Sequence, residues 1–170
     1  MWLLGGAIKG SSVNLHLGGF FMSEHIIEAV SPTAIYEELI AAYIGANYCS
    51  GQGDSEFCLN IGVYSKQLSQ MYAKTGSNSA VFITAYNPYS QIQSKEINET
   101  AHKSLLTDLA VSSIYWVEGM GHDTNSDWRE ASVLALGVSL DLGSQFGTKY
   151  GQNAIVWAGA DAIPKLVLLR

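Results

Sequence analysis

The sequence predicts an α/β or α+β fold, a single domain built on a mixed β-sheet of about six strands with helices packed against it. Two observations carry that expectation. Segments with helical apolar spacing alternate along the chain with short runs of Val, Ile and aromatic residues, and the breaks between them carry serine caps, glycines and prolines. A third observation bounds it: 170 residues, 48% of them apolar and only 14% charged, are enough to bury a core and too apolar for a disordered chain.

In chain order, Ser31-Pro32 offers an N-cap followed by proline at the first helical position. Tyr36, Leu39, Ile40, Tyr43 and Ile44 then recur at helical spacing, which predicts a helix over about 32–48. Residues 57–63, FCLNIGV, alternate like a strand, and Ser65 caps a short helix carrying Leu68, Met71 and Tyr72. GSNS (76–79) is a turn into the strand of VFITAYNPYS (81–90). Ser90 and Gln93 there have capping-box spacing for a helix carrying Ile97, Ala101, Leu105 and Leu109. SIYWV (113–117) and SVLALGV (132–138) read as strands separated by the polar loop EGMGHDTNSDWREA. Ser139 caps a further helix that Gly151 stops, and NAIVWA and KLVLL close the chain as two strands.

Residues 1–21 are glycine-rich and apolar, without the basic start and clean apolar core of a signal peptide. Gly, Lys9, Asn14 and His16 break them too often for a membrane span. With Met22 opening MSEHIIEAV, residues 1–21 are expected to be an upstream extension with little role in the fold, leaving 22–170 as the domain. A net charge of -6 and nine scattered Lys and Arg side chains argue against a nucleic-acid partner. No membrane partner is expected either; a small molecule or a protein is the better default, in a cytoplasmic chain. Cys49 and Cys58 flank eight residues, a spacing that fits neither a redox CxxC nor a zinc knuckle. Two half-buried reduced thiols are expected, with a disulfide across the loop as the alternative.

No phosphate loop, nucleophile elbow or zinc helix is present, and GMG at 119–121 lacks the context of a dinucleotide fingerprint. The strand end at 84–90 is better placed. Ligands of open α/β sheets collect beyond strand C-termini, where the next helix presents free N–H groups. Thr84, Asn87 and Ser90 offer hydroxyl and amide groups there, and alternation sets Phe82, Thr84 and Tyr86 on one face against Val81, Ile83 and Ala85. The plain alternative is a well-made turn in which Ser90 only caps. Asn98, two helical turns beyond Ser90, falls on the same side of the helix, and solvent exposure would explain it equally well. The segment 118–130 gathers Glu118, His122, Asp123, Asp127, Trp128 and Glu130. It could hold a hard divalent metal, supply a general base, or be a solvated acidic loop anchored by Trp128. No spacing in it is diagnostic of a metal site. His102 is expected on a helix surface, and Gln152 could point toward a site from the start of NAIVWA.

FITAYNPYS (82–90), Asn98, WREAS (128–132) and FGTKYGQNAIVWA (146–158) resemble the bacterial domain-of-unknown-function family 3293, over roughly 36–158. Tyr86 stands where members usually carry Trp, and Tyr150-Gly151-Gln152-Asn153-Ala154 where they carry Phe-Gly-Gln-x-Ala. The resemblance implies a small, soluble bacterial domain and a recurring set of Thr84, Asn87, Ser90, Asn98, Trp128, Glu130 and Gln152. It implies no reaction and no cofactor.

The expectation is therefore a binding domain for a small polar or anionic ligand, with nucleotides among the candidates. Ser90 and the helix N-terminus would receive an anion, and Trp128 would stack on the ligand. Were chemistry done there, Glu130 would be the acid or base and Asn87 would orient the substrate. The rival is a non-catalytic protein-interaction or regulatory domain whose acidic surface meets a basic partner. Cofactor and oligomeric state are left open.

Overall fold

Strand alternation divides the sheet's side chains between two cores, one on each face. The computed structural model describes residues 26–29, 33–124 and 127–170. Residues 1–21 lie outside these, as do His25 and the expected Ser31-Pro32 cap. The elements are β1 (Ile27–Ala29), α1 (Glu37–Gly45), β2 (Asn47–Ser50), β3 (Phe57–Leu59), α2 (Lys66–Thr75), β4 (Ala80–Thr84), α3 (Lys95–Val111), β5 (Trp116–His122), β6 (Arg129–Leu136), α4 (Leu140–Lys149), β7 (Ala154–Ala158) and β8 (Lys165–Leu168). The strand order is β1-β8-β7-β4-β6-β5-β2-β3. Only β1 pairs in parallel, with β8; the other six pairings are antiparallel. The fold is thus α+β with a curled mixed sheet, the class that the sequence predicts.

On the first face Phe82, Leu134, Val156 and Leu166 pack with Ile40 of α1 and with Leu68 and Tyr72 of α2. On the second, Val81, Ile83, Val133, Ile155 and Val167 pack with Leu105 and Leu109 of α3 and Phe146 of α4. Burial on both faces explains why β4, β6 and β8 read as nearly continuous apolar runs, a pattern more usual for parallel sheets.

The sheet has eight strands rather than about six, because pairing overrides local pattern in two places. β1 is three half-buried residues with no alternation of its own, held by β8. β2 lies where helical spacing predicts the end of the first helix. α1 begins at Glu37, not near Pro32, and Ala46 turns to an extended φ/ψ of −74°/160°, freeing Asn47–Ser50 to pair with β3 and β5. β3 is shorter than expected, since Gly62 (φ 78°) lies in the turn that follows it. β5 runs on through Glu118 to His122, so most of the expected long loop is a hairpin arm whose connection is only 123–128. Ser65 and Ser139 cap α2 and α4 as expected, accepting from Leu68 N and Leu142 N. The cap of α3 is Ser94, accepting from Ile97 N, not Ser90.

The two cysteines also correct the expectation of reduced thiols. Antiparallel pairing sets Cys49 directly opposite Cys58, with Cα atoms 3.9 Å apart, and they form a disulfide. Register brings them together whatever the length of chain between them. Among the described residues no helix is long and apolar enough to cross a membrane.

The GMG segment has a packing role in β5. A Cβ built on Gly119 would stand 2.7 Å from the Cys49 carbonyl oxygen and 2.9 Å from both Phe82 Cε2 and Ser50 Oγ. Backbone cannot yield as a side-chain tip can. Gly119→Ala is therefore expected to destabilise the fold by about 1–3 kcal/mol, the usual cost of overpacking a tight site. Urea denaturation of the purified variant measures this, and an unchanged midpoint would show that β2 and β5 can part at no cost.

Candidate functional site

β4 leaves the sheet at Thr84 and enters a turn whose backbone is strained. Asn87, Tyr89 and Ser90 have φ of 48°, 55° and 59°, three of the five non-glycine residues with positive φ among those described. The left-handed region costs a residue with a Cβ about 1–2 kcal/mol, less for asparagine, so specific contacts must hold this turn. Tyr89 N donates to Gly151 O at 2.7 Å. Gly151 itself permits the approach: a Cβ there would lie 2.9 Å from Pro88 Cβ and 3.3 Å from the Tyr89 ring.

Asn87 supplies the other contacts. Its backbone N–H donates to Asn98 Oδ1, and its Oδ1 accepts from Asn98 Nδ2 and Gln93 N, each at 2.9 Å. Its Nδ2 donates to Glu130 Oε1 at 2.8 Å. One side chain therefore ties the end of β4 to α3 and to β6. Asn98 is 6% exposed, which removes solvent exposure as the explanation of an asparagine inside a helix.

Glu130 is 8% exposed, near the start of β6. Burial lifts its pKa above the ordinary carboxyl value, opposed by hydrogen bonds from Asn87 and Trp128. Register explains its surroundings: Tyr48, Gly121 and Glu130 face one another across β2, β5 and β6. Gly121 leaves room for Trp128, whose ring edge would stand 3.1 Å from a Cβ there. Tyr48 donates to Tyr43 O at 2.6 Å, and burial, reinforced by Tyr43 and Glu130, keeps its phenol protonated.

These groups line a cavity of about 370 Å³ on the first face of the sheet, beside α1. Of the residues singled out from sequence, it brings together Thr84, Asn87, Ser90, Asp123, Trp128, Glu130 and Gln152; Asn98 stands behind Asn87 and does not line it. Thr84 Oγ1 is already engaged, donating to Ala131 O and accepting from Tyr86 N. Gln152 Nε2 donates to Tyr86 O and Tyr150 O, so that side chain buttresses the turn while bordering the cavity. Ser90 Oγ lies 2.7 Å from Tyr43 Oη and accepts from Asn153 Nδ2 at 3.0 Å.

The acidic segment does not act as one cluster. Gly121 pairs with Glu130 and His122 with Arg129, so Glu118 and His122 project from the face opposite Glu130. His102, expected on a surface, is half-buried, 3.4 Å from Glu118 and edge-on to Tyr86. Sequence reasoning missed Tyr43, Tyr48 and Asn153. The tyrosines are indistinguishable from an apolar helical stripe in one dimension, whereas Asn153, a polar residue entering an apolar strand beside Gln152, carried a readable signal.

No curated protein and no solved structure matches the chain. Residues 83–155 match the family described as Protein of unknown function (DUF3293). That segment carries the strained turn, α3, the β5–β6 hairpin and α4, and with them Thr84, Asn87, Ser90, Asn98, Trp128, Glu130 and Gln152. On this match residues 83–155, which span the turn and the carboxylate it orients, are similar to the DUF3293 family.

Proposed function

We propose that the chain binds a small polar ligand in this cavity, with the Glu130 carboxylate receiving a hydrogen-bond donor of the ligand and Trp128 and the apolar wall covering its body. The observation that carries this reading is the buried carboxylate, fixed by Asn87 and Trp128 and bordering open space. The volume falls in the range of small-molecule sites, and an apolar wall with a few convergent polar groups is their usual make-up. Between a polar and an anionic ligand, the lining favours a neutral or cationic one. Glu130 and Asp123 border the cavity, while no Lys, Arg or His does among the described residues. The α3 N-terminus gives an anion no help, since neither Ser94 nor Lys95 borders the cavity. In a catalytic version of this site, Glu130 would exchange a proton with the bound molecule, its raised pKa bringing both protonation states within reach of milder pH.

A thermal-shift comparison of nucleosides, sugars and amines with their phosphorylated counterparts tests the reading. A ligand at about 100 times its Kd adds about 2.7 kcal/mol, several degrees in a chain of this size. Uncharged or cationic members are expected to stabilise wild type and to lose that effect in Glu130→Gln. Stabilisation by phosphorylated members alone, kept in Glu130→Gln, would reverse the charge assignment.

The pH dependence has a definite sign. Because the folded pKa of Glu130 is raised, its contribution to stability is most favourable below the unfolded value and is lost as pH rises through the folded value. Glu130→Gln, whose amide oxygen can still accept from Asn87, should therefore gain in melting temperature relative to wild type with rising pH. Ligand affinity should move the other way, strengthening in wild type as the carboxylate ionises. Asn98→Ala removes two part-buried hydrogen bonds to Asn87 and should cost about 2 kcal/mol in urea denaturation while weakening binding.

A further inference from the structure

On the opposite face of the sheet, at the β3 edge, the geometry points to a second site: Cys49, Cys58 and His122 form a redox-gated binding site for a thiophilic divalent metal such as zinc. The site is independent of the cavity, and each ligand comes from a different strand. Cys58 and Cys49 are register partners across β3 and β2, and Cys49 in turn faces Met120 of β5. His122, two residues beyond Met120, projects from the same face and completes a diagonal pair with Cys49. The donor atoms all lie within 4.8 Å of one another, and Cys49 Sγ is 3.4 Å from His122 Nε2.

The Cys49–His122 spacing is what a zinc ion needs, and the two sulfurs, bonded to each other in the oxidised chain, would part to about 3.8 Å once reduced. Zn–S of about 2.3 Å and Zn–N of about 2.0 Å at a tetrahedral angle put sulfur and nitrogen roughly 3.5 Å apart. Two thiolates and one neutral imidazole also form a donor set suited to zinc, with the fourth position open to water or an outside ligand. The cluster grades from buried Cys49 through half-buried His122 to exposed Cys58, which gives an ion a way in.

The disulfide and the metal compete for the same sulfurs, and that competition is the gate. A dithiol reductant opens the bridge by exchange. Its thiolate attacks the exposed Cys58 Sγ, the S–S bond breaks, and Cys49 leaves as a thiolate beside His122. The reagent's second thiol then closes its own disulfide and releases Cys58, so two electrons and two protons pass from the dithiol to the cystine. Metal binding afterwards displaces the two thiol protons. Reoxidation of the pair by exchange with a small-molecule disulfide, which takes the two electrons and leaves as two thiols, would expel the ion.

The test is a titration of the full chain with Co2+, followed by displacement with Zn2+. Protein is reduced with a dithiol, desalted under argon and compared with the oxidised form. Reduced wild type should take up one equivalent with a thiolate-to-cobalt charge-transfer band that zinc abolishes, and oxidised wild type should show none. Cys58→Ser, at an exposed edge position, and His122→Gln should each weaken binding by more than about tenfold, the loss that even a ligand's outer support can cause. Circular dichroism checks that both variants remain folded. Absence of the band in reduced wild type, an undiminished cobalt affinity in either variant, or equal uptake by the oxidised chain overturns the proposal.

Discussion

The Asn87 side chain is the constraint from which the rest of the site follows. Its oxygen accepts two hydrogen bonds and its nitrogen orients Glu130, while its own backbone N–H is taken by Asn98. An aspartate would keep the two acceptor contacts but set a second carboxylate against Glu130. A serine could reach one partner and not three. The backbone φ of 48° adds a further restriction, because asparagine enters the left-handed region more readily than other residues bearing a Cβ. Three left-handed residues cost roughly 3–6 kcal/mol together. The four bonds of Asn87 and the Tyr89–Gly151 bond return about 1 kcal/mol each, so the turn is near balance and depends on all of them.

The sheet explains why a cavity can exist beside so tight a turn. Its second face is closed along β4, β6 and β7 by α3 and α4. Its first face is covered by α1 and α2, and the side-chain row at Tyr48, Gly121 and Glu130 contains a glycine where most strands would carry bulk. Trp128 occupies that gap from the hairpin connection, setting an indole beside the carboxylate. The antiparallel hairpin thus delivers both Glu130 and the ring beside it, two residues apart in sequence.

How much of this was legible in the sequence depends on the range of the interactions involved. Local rules placed Ser65 and Ser139 as caps and sorted β4 into Phe82 and Thr84 on one face and Val81 and Ile83 on the other, because those features are decided within a few residues. Asn47 and Tyr48, the first half of β2, read as the end of the first helix because the helical spacing through Tyr43 and Ile44 runs on into them, and only pairing with β3 and β5 decides otherwise. Ser90 reads as the α3 cap from sequence because Ser90-Gln93 and Ser94-Ile97 compete for one role, and the strained turn settles it in favour of Ser94. The grouping of Thr84, Asn87, Ser90, Trp128, Glu130 and Gln152 around one space was legible. The separation of Glu118 and His122 from Glu130 was not, because it turns on one residue of strand phase within a segment that resembled a loop.

Glu130 itself favours a ligand over a purely structural role. A glutamine could accept from Asn87 and Trp128 through its amide oxygen and would avoid desolvating a charge, and such a neutral replacement of a buried ion is often no worse for stability. A carboxylate whose pKa burial raises is therefore a poor choice if its task is only to hold the turn. It becomes a reasonable one if a donor from the cavity completes its hydrogen bonding, because a charged acceptor gives a stronger bond than a neutral one. The hydrogen bonds from Asn87 and Trp128 leave lone pairs of the carboxylate for a third donor, and the geometry that fixes those two also fixes where the third must come from.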